Sequence, residues 1–496
     1  MNSLIRAACL GLLVSALAAC GGGGDEPSDP GNARGSDASG PVIEGYDLAA
    51  RAVPKSAAAP AATPAGVAAT PVRLEALPEA ARTAMAGRTP ASGQRNPVRQ
   101  IGQGRALAAT ADVQSTARLL NWQPAPSGGT AAAARFHSEG ATALRLGLRV
   151  ERLPDAATVR VFAPDGSDSV AFTGEQVRQT LERNAAAGFT GAVGRTFWLP
   201  PVGGPEAVLE IELPAGVAPQ EVQVAVPQLS HLFVDLARGK DAFLKIGEAG
   251  TCNLDASCAP TLQEETRAVA RMEFTGSDGG SYYCSGTLMA DVPASGTPWF
   301  LSAEHCVSDQ ASASTLVTYW FYRSASCNSS LLSPLATRVF GGAELLYASG
   351  ETDTSFMRLL RSPPAGVRFA GSLLVAPPVQ GAVAGLHHPF GDLLKYSAGL
   401  MESYARCDGL RCEPQSSASG ARFLRVRWQS GTTEFGSSGS ALFAPLGGRQ
   451  YVAGQLFAGL ASCAADRRFE PDYYGRFDLA YRARLNEWLG TPPVAP

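Results

Sequence analysis

TEFGSSGSALF, residues 433–443, is the stretch on which the fold turns. Gly436 and Gly439 bracket Ser437 and Ser438, and a strand-like apolar run follows at once. Glycines at these positions let the backbone turn tightly. A serine hydroxyl is then exposed beside backbone N–H groups, as a nucleophile and the oxyanion it generates require. Alone, such a run is most often a polar loop. Two other segments change the odds. In FLSAEHCV (300–307) an apolar strand ends at His305, with Cys306 beside it and Cys284 lying 22 residues earlier in YYCSGTLM. A clamp between those cysteines would fix the loop that carries the imidazole. In ETDTSFMRLL (351–360) Asp353 heads an alternating strand, which lets its carboxylate sit at a strand edge.

The three residues follow one another as His305, Asp353, Ser438. That is the chain order of chymotrypsin; subtilisins and α/β-hydrolases use other orders. In this scheme His305 is the general base, Asp353 holds its tautomer, and the N–H groups of Gly436 and Ser438 form the oxyanion hole.

Outward from this centre, residues 252–496 consist of short strand-like runs between turns, such as RAVARMEF, STLVTYWFY, ARFLRVRWQ and RQYVAGQLFAG, and end in the helical pattern DLAYRARLNEWLG. That texture predicts an all-β, chymotrypsin-like double β-barrel with a C-terminal helix. Residues 96–238 alternate apolar and polar positions between Pro, Gly and Asp turns, as in ALRLGLRVERL and AVLEIELPAG, which predicts an N-terminal β-sandwich. Within it GEQVRQTLERNAAAG is the one expected helix, closed by Gly188. Its two histidines, His137 and His231, are isolated, so no second active site is expected there. Residues 239–251 read as a hinge. Residues 21–95, with SAAAPAATPAGVAATP, have linker composition.

The first twenty residues read as an address. Arg6 precedes an apolar stretch, Ala7–Ala19, too short to span a bilayer. It ends in LAAC, similar to a lipobox, which makes Cys20 a lipidation site and Gly21–Gly24 a tether; the similarity to Gram-negative lipoproteins implies the outer membrane. Beyond Cys9 and Cys20, eight cysteines remain: Cys252, Cys258, Cys284, Cys306, Cys327, Cys407, Cys412 and Cys463. An even number in an exported chain predicts four disulfides. With no CxxC pair, no metal is expected, and no cofactor either. A formal charge of −3 gives no reason to expect nucleic acid.

From about residue 250 onward the chain resembles bacterial lysyl endopeptidases. The motifs are CNLDASC, YYCSGTLM, LSAEHC, VTYWFYRSASC, GLHHP, TEFGSSGSALF, GQLFAG and DYYGRF, in that order. The segment ending LSHLFVDL is similar to the pro-region of such precursors. The resemblance implies a serine endopeptidase acting on protein or peptide substrates and cutting after Lys. It implies the pairings Cys252–Cys463, Cys258–Cys327 and Cys284–Cys306, leaving Cys407 with Cys412. It also implies Asp472 as the carboxylate at the base of the pocket for a basic side chain. The chain departs from its relatives at Phe457, where they carry His, and their partner Trp has no clear match. Strict preference for Lys over Arg is therefore open. Glu434, His387 and His388 are expected in structural roles. Other readings are a chymotrypsin-fold protease of different specificity, or a catalytically silent surface-binding lipoprotein. Lys245, one of only four lysines, sits in the hinge where similar precursors are cut. Ser437 stands where trypsin-like zymogens need an Asp to pair with the new N-terminus, so a cut should act by removing the N-terminal domain.

Overall fold

The computed structural model describes residues 40–47, 63–77, 98–233, 248–464 and 470–492. Cys20, Lys245 and the tether lie outside them. No helix among the described residues is long and apolar enough to cross a membrane.

Two barrels form the C-terminal part. In the second, Arg449–Gly459, Ala441–Leu446, Ala382–His387, Lys395–Asp408, Phe423–Ser430 and Asp472–Arg476 pair in that order, and the last strand returns to the first, closing the barrel. Its strands show why they form. In Phe423–Ser430, Leu424, Val426 and Trp428 point inward and are buried, while Arg425 and Arg427 alternate with them. The first barrel runs Thr337–Val339, Val317–Trp320, Val269–Thr275, Ser281–Met289, Trp299–Ala303, Thr354–Leu359 and Ala343–Ser349, and it stays open. The terminal helix, Phe477–Leu489, contains one wide π turn at Tyr481–Leu485 and packs Phe477, Leu485 and Leu489 into the core shared by both barrels.

The sandwich forms as expected from its alternation. One sheet holds Ala69–Leu74, Thr130–Ser138, Glu206–Leu213, Thr158–Phe162 and Val170–Thr173; the other holds Thr196–Trp198, Ala143–Arg152, Gln223–Leu232 and Arg99–Ala106. Their facing side chains, among them Phe136, Leu144, Leu146, Leu148, Leu209 and Ile211, make one core. The expected helix spans Gly174–Ala186, capped by Thr173 and Gln176, with Gly188 at φ +92° just past its end.

Two expectations need correction. Residues 21–95 are not linker throughout: Val42–Ile43, Tyr46–Asp47 and Ala69–Leu74 are strands. Pro71 masks the last of these, yet it lies on an edge strand, where a missing N–H costs nothing, and Val72 is buried. A second sandwich helix, Val113–Leu119, escapes notice because it is short; Asp112 and Ser115 cap it reciprocally. The sandwich is also joined to the barrels. Arg99–Ala106 pairs with Gln223–Leu232 on one side and with Ser281–Tyr283 of the first barrel on the other. Behind that seam Arg145 and Glu273, both almost wholly buried, lie 3.9 Å apart, and the Tyr319 hydroxyl donates to Glu273 at 2.7 Å.

Candidate active site

Each barrel delivers part of the site. The strand Trp299–Ala303 ends just before His305, and Cys284–Cys306 ties the following turn to the strand behind it. A carboxylate oxygen of Asp353 lies 2.7 Å from His305 Nδ1, and the other accepts the His305 backbone N–H at 2.9 Å. One carboxylate therefore fixes both the ring and its backbone. Asp353 sits at φ +51°, a conformation that short polar side chains tolerate better than most. Its carbonyl accepts from Glu304 N–H at 3.0 Å and from Gln455 Nε2 at 3.2 Å; Gln455 also donates to Thr352 O at 2.7 Å. Nothing in the sequence marked Gln455 as the brace of Asp353, although it lies in GQLFAG.

Burial alone would lower the His305 pKa. The adjoining Asp353 carboxylate, by charge and hydrogen bond, and the Glu304 charge outweigh that and hold it above the usual histidine value. His305 Nε2 and Ser438 Oγ are both buried and neither has a hydrogen-bond partner, so neither is committed elsewhere.

The serine turn is held from both barrels. Gly436 has φ +90° and Gly439 φ +77°. A Cβ on Gly436 would come within 2.9 Å of His388 O, and one on Gly439 within 2.6 Å of Ser285 O, so both positions require glycine. Ser285, from the first barrel, donates its N–H to Ser438 O at 2.8 Å and its hydroxyl to Gly436 O at 3.0 Å, and accepts His388 N–H at 3.0 Å. Among the described residues the N–H groups of Gly436 and Ser438 donate to no other atom of the chain. Arg271 lies within 4.0–4.8 Å of the ring centroids of Tyr283, Tyr319 and Tyr322 and donates to Gly391 O at 2.8 Å, bracing the turn behind Gly436.

Ser437 takes part in a directed chain. Ser397 Oγ donates to Thr432 O at 2.6 Å, so it accepts from His387 Nε2–H at 3.0 Å. His387 Nδ1 then accepts from the Ser437 hydroxyl at 2.8 Å, and Ser437 Oγ accepts Glu434 N–H at 3.2 Å. The carbonyl at one end fixes the tautomer of a neutral imidazole. Burial pushes His387 down to about 3, which keeps it neutral. His388 donates from Nδ1 to Asp392 O at 2.9 Å. Glu434 accepts from Gly250 N–H at 2.8 Å and Asn253 Nδ2 at 2.6 Å, tying down the chain just past the hinge.

Asp472 is wholly buried. One oxygen accepts from Trp428 Nε1 at 2.7 Å and Thr433 Oγ1 at 2.6 Å; the other has no partner. Burial raises its pKa to about 6 against the pull of those two hydrogen bonds and of the Ala461 N–H. Gly459 leaves room for it, since a Cβ there would overlap the carboxylate. Phe457 stands edge-on to His305 at 6.2 Å and lies against Phe423 at 4.9 Å, with the Cys407–Cys412 bridge packed beside them. Phe423 thus fills the place beside Phe457 for which the sequence offered no clear partner. All four cysteine pairs form: Cys252–Cys463, Cys258–Cys327, Cys284–Cys306 and Cys407–Cys412. On the far side of the turn, Arg99 of the sandwich lies 5.3 Å from the Phe390 ring, which packs edge-on against Phe435 at 5.9 Å.

Comparison with known proteins gives the following. The family model described as lysyl endopeptidase N-terminal domain matches residues 73–233, and that described as lysyl endopeptidase, C-terminal domain, matches residues 246–475. A lysyl endopeptidase from Pseudomonas aeruginosa is 33% identical over 399 residues, spanning 77% of this chain and 79% of that protein. Among solved structures, the HtrA-type protease AlgW with a tripeptide aligns with 46% of this chain and 62% of its own, at TM-score 0.31 and 15% identity. The thermostable serine protease AL20 from an extremophilic microorganism aligns with 47% of this chain and 100% of its own, at TM-score 0.31 and 15% identity.

Proposed function

Because the chain belongs to the lysyl endopeptidase family and is a serine endopeptidase, we propose that it cuts peptide bonds after lysine, with His305, Asp353 and Ser438 as its triad. The observation that carries the triad is the pair of contacts from Asp353 to the His305 ring and backbone, which leave His305 Nε2 uncommitted, as the Ser438 hydroxyl also is. Ser438 Oγ attacks the scissile carbonyl while its proton passes to His305 Nε2. The imidazolium that results is stabilised by Asp353, and the developing oxyanion accepts from the Gly436 and Ser438 N–H groups. His305 then protonates the leaving amine, and water repeats the cycle on the acyl-enzyme. Each oxyanion donor contributes about 2.7–4 kcal/mol of barrier lowering.

Asp472 supports the choice of a basic side chain. Its buried carboxylate keeps an acceptor that a substrate ammonium would satisfy, and that positive charge would pull its raised pKa back down. The family's C-terminal model begins at residue 246, directly after Lys245, which supports a cut there made by the enzyme itself. We read Cys20 as lipidated, with the precursor held at the outer membrane.

A peptide-library digest read by mass spectrometry tests the specificity. Cleavage after Lys should exceed that after Arg, and equal rates at Lys and Leu would exclude a basic pocket. A fluorophosphonate probe should label the wild-type protein and not Ser438→Ala. That variant should lose peptidase activity by roughly 10⁴–10⁶-fold, since triad members act as a unit. Near-normal turnover would exclude Ser438 as the nucleophile.

A further inference from the structure

Residues 40–47 lie ahead of both family-matched regions, yet they are built into the double barrel. Val42 and Ile43 pair antiparallel with Leu373 and Ser372, and Leu374 N–H donates to Pro41 O at 3.0 Å. Tyr46 and Asp47 pair with Phe369 and Arg368. Between the two short ladders the backbones cross so closely that a Cβ on Gly371 would lie 2.6 Å from both Gly45 N and Ile43 O, and one on Gly45 would lie 2.8 Å from Gly371 N. Ile43 is 2% exposed and belongs to the same apolar cluster as Leu288, Phe369 and Val452. The Tyr46 ring stacks on Phe369 at 4.8 Å, and its hydroxyl accepts Gly296 N–H at 3.0 Å.

Charge complements the apolar anchors. Asp47 accepts from Arg267 at 3.0 Å and Arg368 at 3.1 Å, and Glu44 from Arg449 at 2.8 Å and the Tyr451 hydroxyl at 3.0 Å. These partners come from the first barrel, from the crossover between the barrels and from the second barrel. None of those named belongs to the sandwich, and none holds His305, Asp353 or Ser438.

We propose that residues 40–47 are a docking peptide that keeps the double barrel bound, without a covalent link, to the N-terminal part of the chain after the backbone is cut between residues 233 and 248. The proposal rests on the reading that such a cut occurs at Lys245. The peptide GPVIEGYD adds strands to the edges offered by residues 368–374, the mode in which main-chain hydrogen bonds give affinity and alternate side chains give specificity. Surface ion pairs add little, so Ile43 and Tyr46 carry most of the binding. The strand Arg99–Ala106 sits on the same N-terminal fragment, so two attachments act together and each raises the effective concentration of the other. Release of the enzyme then needs both to let go, and a lipid on Cys20 would hold the cut enzyme at the membrane.

The test uses the full chain carrying Ser438→Ala, with the recognition sequence of an unrelated protease placed within residues 236–244. After cutting with that protease, the N-terminal fragment is immobilised and escape of the double barrel is followed. The native pair should stay together, and Ile43→Asp with Tyr46→Ala should speed escape by about tenfold or more. Glu44→Ala removes an exposed ion pair with Arg449 and one contact with the Tyr451 hydroxyl, and should speed it about two- to threefold. In hydrogen exchange, the Leu374 amide should be protected in the cut native protein and exposed in the double variant. Equal escape rates for native and double-variant proteins, or equal protection of Leu374, would overturn the proposal. Because an added protease makes the cut, failure here is distinct from failure of self-cleavage at Lys245 or of the lysine preference.

Discussion

The two barrels end differently. The second closes on itself: Asp472–Arg476 pairs with both Phe423–Ser430 and Arg449–Gly459, so no strand of the six is left with an open edge. The first stays open. Its strand Ser281–Met289 meets Trp299–Ala303 only from Thr287 to Met289, and the sandwich strand Arg99–Ala106 covers Ser281–Tyr283. An uncovered strand edge invites pairing with other chains, and the sandwich strand covers this one. The closed barrel carries Ser438 and Asp472. The open barrel carries His305 and Asp353. Ser438 and Asp472 thus sit in the barrel whose strands close on one another, and His305 and Asp353 in the one whose strand pairs with the sandwich.

The largest effect expected from breaking this division lies in the closed barrel. Asp472→Asn should lower kcat/KM for lysine substrates by roughly 10²–10³-fold, the scale of removing one partner of a buried charge pair. The same change should stabilise the free enzyme. The Asp472 pKa is raised to about 6, so the carboxyl prefers to stay protonated in the folded state; its contribution is fully present below the unfolded value of 3.8 and is lost as pH rises through 6. Above pH 6 the variant should therefore gain on the order of 2–3 kcal/mol, and below pH 4 the gain should vanish. Denaturant melts at pH 8 and pH 4, together with lysine-substrate kinetics, check both halves. Unchanged lysine turnover would remove Asp472 from the pocket.

Legibility in the sequence follows the same division. The segments around His305, Asp353 and Ser438, the glycine turn, the alternating strands and the eight cysteines are local patterns, and each is visible in a window of a few residues. What escaped is relational. Val42–Ile43 and Tyr46–Asp47 are two-residue strands in a region rich in Ala, Gly and Pro, and only the apolar slot at Ser372–Leu373 gives them meaning. Arg145 reads as a solvent-facing position in ALRLGLRVERL, because alternation assigns one face to water. In fact that face is the seam against Glu273. Gln455 and Phe423 likewise acquire their roles only from what lies opposite them.

The open barrel should feel Arg145→Met next. The change leaves Glu273 buried with the Tyr319 hydroxyl and the Arg271 charge but without its partner at 3.9 Å, and removing one partner of a buried pair costs about 3 kcal/mol or more. Measured on the full chain with Ser438→Ala, the loss should be confined: amide exchange should rise at residues 271–273 and 317–319 while residues 424–428 keep their protection. A rise of equal size in both barrels would mean that they do not respond separately to loss of the sandwich contact.

The smallest effect concerns the directed chain that holds Ser437. His387→Gln removes the acceptor that the Ser437 hydroxyl uses and the donor that Ser397 accepts. Both neighbours are buried, so the cost at pH 8 should be about 1–3 kcal/mol. That cost should shrink in acid. Burial lowers the folded His387 pKa from 6.5 to about 3, so the unfolded chain takes up a proton there that the folded one refuses. The wild type therefore keeps its full stability above pH 6.5 and loses it as pH falls toward 3. At pH 5 this amounts to about 2 kcal/mol, a loss that the glutamine variant escapes. His388, whose pKa burial also lowers, is present in both proteins and cancels from the difference. The stability gap between the two proteins in denaturant melts should narrow from pH 8 to pH 5, and kcat of the variant with an intact Ser438 should fall more than its KM rises, because the turn at Ser437 loosens while the surroundings of Asp472 stay. A stability gap of the same size at both pH values would mean that His387 is not held neutral against the proton, and that the serine turn owes nothing to its charge state.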